Sequence, residues 1–216
     1  LKKPIIMGIL NISPDSFYDG GRYNQMGKAL EQCARMVQEG ADIVDVGAVS
    51  TRPGADDVPE AEERKRLAEV LSVLRREFPE LPLSVDTYRS EIAAFAADQG
   101  ADIINDISGG TFDPAIFDVV ARNGLGYILM HIKGTPQNMQ QNPQYDDVVG
   151  EIKSFFIRQS KAYFEAGCKK ESLVLDPGFG FGKTLEHNYR ILHHLDRFVD
   201  MGYPVLAAVS RKSMIN

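Results

Sequence analysis

Short apolar runs alternate along the chain with longer stretches in which apolar residues return every three or four positions. The short runs predict buried strands, and the three-to-four spacing predicts amphipathic helices. Strands are expected over residues 4–10 (PIIMGIL), 42–47 (DIVDVG), 81–85, 102–104, 126–130, 173–175 and 205–209. Helices are expected over 25–39, 60–78, 90–99, 113–123, 147–166 and 185–201. Gly40, Gly100, Gly124, Gly167 and Gly202 each fall where a helix pattern stops, the place glycine takes past a helix C-terminus. GADIVDVG from Gly40 and GADIINDISGG from Gly100 are near-copies of one helix-stop and strand module. Buried strands alternating with helices imply a parallel sheet with helices packed outside it.

Nearly every predicted strand runs into a residue capable of chemistry: Asn11, Asp86, Asn105, His131, Asp176 and Lys212. A doubly wound open sheet would spread these along an edge, whereas a (β/α)8 TIM barrel gathers them on one face. The expected fold is therefore α/β, a (β/α)8 TIM barrel forming a single domain over residues 1–216. Such a barrel needs eight strands and roughly 250 residues. This sequence stops after the seventh, so the eighth strand and the last helices are expected to lie outside it.

Composition narrows the function. The 216 residues carry a net charge of −6 and a pI near 5.3, which argues against binding nucleic acid or an anionic membrane through bulk electrostatics. No apolar run approaches the roughly 20 residues of a membrane span. Cys33 and Cys168 lack metal-ligand spacing, so free thiols in a reducing cytoplasm are expected. The run EAEERKR reads as a solvated helix face.

The chemistry centres on LVLDPGFGFGK, Leu173 to Lys183, where an apolar strand delivers Asp176 to its C-terminal end. It is no phosphate-binding G-x-x-x-x-G-K-[ST] loop, because Pro177 stands at the first glycine position, and its G-x-G-x-G spacing is not the dinucleotide fingerprint. The expected barrel mouth holds Asp86, Asp106 and Asp176, the amides of Asn11 and Asn105, His131, the basic pair Arg211 and Lys212, and Arg52 from a loop. Carboxylates accept paired N–H bonds from a nitrogen heterocycle, while basic residues on the late loops suit phosphate. The residues alone point to a nitrogen-rich heterocycle bearing a phosphorylated group. His131 is given no catalytic role, Lys183 is expected at the surface, and the neighbouring helix residues His193 and His194 cannot share a face around a metal.

Six segments in order, NISPDSFYDGG, STRPGA, SVDT, INDISGG, LDPGFGFGK and SRKSM, resemble the motifs of the dihydropteroate synthase family of folate biosynthesis, from Pro4 to Met214. The resemblance implies a transferase that joins 7,8-dihydropterin-6-ylmethyl diphosphate to p-aminobenzoate, releasing pyrophosphate, and that sulfonamides inhibit. It implies catalytic roles for Asp86, Asp176, Lys212 and Arg52, and a pterin site of Asp86, Asn105, Ile107, Met130, Asp176 and Lys212. It places Phe17, Thr51, Arg52, Pro53, Phe181 and Ser213 around p-aminobenzoate and Asn11 on Mg2+, and it implies a cytoplasmic homodimer acting on small molecules. A pterin-binding methyltransferase would need the ring-holding acids but neither STRPG nor SRKS, both present here. Two departures stand out: G-A-V-S-T replaces the usual G-G-E-S-T at Gly47 to Thr51, and the Arg-x-His of an eighth strand is absent.

Overall fold

The computed structural model describes residues 3–12, 21–49, 58–212 and 214–215. Six strands, β1 (Met7–Asn11), β2 (Ile43–Gly47), β3 (Leu83–Asp86), β4 (Ile103–Asp106), β5 (Gly126–Met130) and β6 (Leu173–Asp176), form one sheet. They pair in sequence order, every pair parallel. Helices α1 (Gly21–Gln38), α2 (Glu60–Glu77), α3 (Ser90–Asp98), α4 (Ile116–Asn123) and α5 (Val148–Glu165) connect successive strands, and α6 (Leu185–His193) and α7 (Asp196–Val199) follow β6. A doubly wound sheet reverses its strand order at a switch point, and no reversal occurs here.

The sheet also curls. Strands β2 and β4 are separated by β3, which in a flat sheet would hold them about 9–10 Å apart. Yet Asn105 Nδ2 on β4 donates to Asp45 Oδ2 on β2 at 3.1 Å. The face bearing both side chains is therefore concave, as the inside of a barrel is.

Strand parity sorts the side chains between the two faces. Leu10, Val44, Val46, Leu83, Val85, Ile104, Tyr127, Leu129, Leu173 and Leu175 are all buried in the main core. They meet Leu67, Leu71 and Leu74 of α2, Ile92 of α3, Val120 of α4, Ile152 and Phe156 of α5 and Ile191 of α6 in that same core. This sheet-to-helix layer uses one parity of every strand, and the opposite parity is left for the interior.

Beyond β6 the expected strand over 205–209 reduces to one parallel bridge, Leu175 to Val205, with Leu175 N donating to Pro204 O and Leu206 N to Leu175 O. After Leu206 the backbone folds into turns, with Val209 N donating to Ala207 O. The helix expected over 185–201 divides at His194–Leu195 into α6 and α7, because Leu195 N turns back to Leu192 O rather than extending the ladder. EAEERKR is not wholly solvated either. Glu63 is buried, accepting from Thr87 Oγ1 at 2.8 Å and pairing with Arg89, whose other terminal nitrogen donates to Val58 O at 2.9 Å.

Candidate active site

Register draws one row across the interior: Asn11 pairs with Gly47, Gly47 with Asp86, Asp86 with Asn105, and Asn105 with Ile128. Two residues further along β5 and β6, Met130 pairs with Asp176. Three residues that the sequence singled out, Asn11, Asp86 and Asn105, thus share one face near the strand ends. Gly47 sits between two of them. A Cβ there would come within 3.3 Å of Asn11 Oδ1 and 3.6 Å of Asp86 Oδ2, so the missing side chain leaves both oxygens uncovered.

Asp106 does not join them. It lies one residue past Asn105 and therefore points outward, where Oδ1 accepts from Ser108 N at 2.7 Å and Oδ2 from Gly110 N at 2.8 Å and Tyr127 Oη at 2.6 Å. The expectation that it stands at the mouth is corrected: its carboxylate is spent on closing the turn after β4. Lys183 is also not at the surface. It is 3 % exposed, with Nζ donating to Gly178 O and Phe181 O at 2.9 Å and to His131 O at 3.2 Å, and lying 3.0 Å from His131 Nδ1.

That lysine pins the loop after β6. Gly178, Gly180 and Gly182 all adopt left-handed φ, and a Cβ at Gly178 would overlap the carbonyl oxygen of His131. Only glycine lets this loop lie so close to the end of β5. The loop buries Phe179 and leaves Phe181 partly open beside Lys212, whose Nζ donates to Phe179 O at 2.6 Å and sits 4.3 Å over the Phe181 ring. The basic pair of the sequence is split, since Arg211 lines a cavity of about 560 Å3 between α1 and β1, with Lys28, Arg35 and Asn11.

Above the polar row lies a second apolar cluster, separate from the main core. Ile107, Met130, Ile132 and Met139 form it, with Tyr88 and Phe181 packed against it. It joins the end of β3 to the loop after β6, and so bridges the Asp86–Asn105 side of the mouth to the Asp176–Lys212 side. A flat, partly apolar ring with polar edges matches such a lining.

The electrostatics are those of acids awaiting a donor. Burial holds Asp86 well above the usual carboxylate range, and the charges of Asp45, Glu63 and Asp106 push the same way. No described residue donates a hydrogen bond to its carboxylate. Burial likewise raises Asp176 to about 6, against the pull of Gly178 N and of Lys212 and Lys183. Its Oδ1 accepts from Gly178 N at 2.7 Å. His131, by contrast, is held neutral at about 2 by burial and by Lys183 and Lys133, which removes it from proton transfer near neutrality.

Asp45 escaped the sequence reading. It sits mid-strand, buried, on the inner parity, and the signal for it was an acid within the otherwise apolar strand DIVDVG. Burial raises its pKa, opposed by Ser84 and Asn105. The Ser84 hydroxyl lies near enough for that opposition, but neither Ser84 Oγ nor Asp45 Oδ1 meets hydrogen-bond geometry. Phe17, Thr51, Arg52, Pro53 and Ser213 lie outside the described residues.

Comparison with known families matches residues 7–216 to the pterin-binding enzymes. A dihydropteroate synthase of Synechocystis is 46% identical over 214 residues, spanning 99% of this chain and 74% of the relative. That of Escherichia coli is 46% identical over 215 residues, 100% of this chain and 76% of the relative. The chain belongs to the dihydropteroate synthase family. Among solved members, the dihydropteroate synthase of Yersinia pestis in a sulfonamide drug complex superposes with a TM-score of 0.91 at 44% identity, over 99% of this chain and 77% of that one. The Xanthomonas albilineans dihydropteroate synthase in complex with 7,8-dihydropteroate gives 0.85 at 39% identity, over 99% and 75%. These family members share the fold across nearly all of this chain, and the chain spans about three quarters of their length.

Proposed function

We propose that the chain condenses 7,8-dihydropterin-6-ylmethyl diphosphate with p-aminobenzoate to give 7,8-dihydropteroate and pyrophosphate. The observation that carries this reading is the set of inward-facing acceptors, Asp86, Asn105 and Asp176, beside the apolar cluster of Ile107, Met130, Ile132 and Met139. The family relationship supports it, since relatives of this fold were solved with 4-aminobenzoic acid and with 7,8-dihydropteroate.

In this reading Asp86, Asn105 and Asp176 accept the N–H groups of the pterin ring, Ile107 and Met130 contact its face, and Lys212 meets its oxygen or a ring nitrogen. The bond between the methylene carbon and the diphosphate oxygen breaks first, and the electron pair leaves with the diphosphate. The ring spreads the resulting positive charge, which the carboxylates of Asp86 and Asp176 favour in their ionised form. The neutral arylamine then forms the C–N bond and gives up one proton. Phe181 would line its pocket, to which the reading also assigns Phe17, Thr51, Arg52, Pro53 and Ser213.

Mg2+ fits this site. It is a hard cation that takes one or two protein oxygens and otherwise water and phosphate, and Asn11 Oδ1 is uncovered above Gly47 without a described partner. When bound there it offsets the charge of the leaving diphosphate. Pairing of two chains belongs to the same reading, supported by the exposed stripe Leu185, Tyr189 and Leu192 on α6. The free thiols of Cys33 and Cys168 support a reducing, cytoplasmic setting.

The test is an end-point reaction of the purified protein with the dihydropterin diphosphate, Mg2+ and p-aminobenzoate, read by mass spectrometry. Dihydropteroate formation that a sulfonamide suppresses is expected. Tight binding of the pterin without any product would overturn the transferase reading in favour of a binding protein.

A further inference from the structure

Asp45 takes no part in the chemistry above, yet it is 4 % exposed in the middle of β2, where an ionised acid is costly to hold. Its Oδ2 accepts from Asn105 Nδ2 at 3.1 Å. Three polar atoms around that bond, Asp45 Oδ1, Ser84 Oγ and Asn105 Oδ1, are buried without a hydrogen-bond partner. Ser84 lies close enough to Asp45 to lower its pKa, so the atom left for a ligand or its water is Asn105 Oδ1.

The chemistry of the pair fixes the direction of the amide. A carboxylate has no proton to donate, so only the NH2 end of Asn105 can face Asp45. Asn105 Oδ1 is thereby committed as an acceptor, in the row it shares with Asp86. Were the amide free to turn over, that position would offer a donor instead, and the wall of the pocket would lose its uniform character.

We propose that Asp45 is a positioning residue that locks the Asn105 amide with its oxygen toward the pterin site, so that the wall presents acceptors only and selects a ring edge of N–H donors. The proposal rests on the pterin reading above. It concerns selectivity among rings, which a residue that merely stiffened β2 would not change.

The test measures the affinity of three ring compounds for the protein and two variants. One compound is a 7,8-dihydropterin. The other two each lack one N–H donor group: the 2-deamino-7,8-dihydropterin, with hydrogen in place of the 2-amino group, and the fully oxidised pterin, without the hydrogen on N8. The unaltered protein should prefer the dihydropterin over both. Asp45→Asn supplies an amide that can donate as well as accept, which frees Asn105 to turn over. Its preference over at least one of the two analogues should fall by about tenfold or more, the scale of one mispaired buried hydrogen bond. The double exchange Asp45→Asn with Asn105→Asp reverses the donor and acceptor of the pair but again leaves only acceptors facing the ring, and should restore the preference. Equal weakening of all three compounds in Asp45→Asn, or no recovery in the double exchange, would overturn the positioning role. Failure of the unaltered protein to bind the dihydropterin would instead overturn the pterin reading itself.

Discussion

Replacing Asp176 by Asn separates what this acid does for a ligand from what it costs the fold. Asp176 Oδ1 accepts from Gly178 N at 2.7 Å. To keep that bond, an amide at this position must turn its oxygen toward the loop, which points its NH2 into the pocket. A ring N–H that met a carboxylate oxygen then meets another donor. The loss is one charge-assisted hydrogen bond, about 1.5–3 kcal/mol, which corresponds to about 10–150-fold in Kd.

Stability should move the other way. Burial raises the carboxyl to about 6 from 3.8, so ionised Asp176 destabilises the ligand-free fold by up to about 3 kcal/mol. A neutral amide removes that penalty, though it also removes a favourable charge near Lys183 and Lys212. The melting temperature of Asp176→Asn should therefore equal or exceed that of the unaltered protein, while calorimetric titration shows the weakened pterin binding. A pterin Kd within about twofold of the original would refute the ring-holding role, and a melting temperature lower by more than about 4 °C would refute the burial penalty, since about 1 kcal/mol moves a domain of this size by about 2–4 °C.

The same acid predicts a pH dependence. With a pKa raised to about 6, Asp176 is ionised at pH 7.5 and protonated at pH 5, where it can no longer accept two N–H bonds. Pterin affinity should be full above about pH 7 and fall progressively below pH 6, and a flat profile between pH 5 and 8 would count against it. Lys183→Met leaves the carbonyls of His131 and Phe181 without their donor, while Gly178 O keeps the Phe181 N–H at 3.1 Å. At about 1–3 kcal/mol for each unmatched buried group, a loss of at least about 2 kcal/mol is expected in denaturant titration, and an unchanged midpoint would show that the lysine does not hold the loop. Asp106→Ala removes the acceptor of Ser108 N, Gly110 N and Tyr127 Oη. It should destabilise by about 3 kcal/mol or more, and a variant that kept its stability but lost pterin affinity would return Asp106 to the site.

By itself the sequence determined the alternation of strands and helices, the parallel sheet and the corners of the site. Those follow from local rules: period, glycine stops, and apolar runs that end in one polar residue. Asp86, Asn105 and Asp176 were legible because each closes such a run, and the order of motifs identified the family. Tertiary structure decided which of two neighbouring polar residues faces the interior. Asn105 and Asp106 read alike in sequence, but register with β3 and β5 turns one inward and the other to Tyr127. It also decided where ions are buried. Lys183 looks like any loop lysine until the loop folds over His131, 52 residues away, and Asp45 finds Asn105 at a separation of 60. A buried charge is tolerated only with its partners, and when they are distant in sequence, only the folded sheet and its loops bring them together.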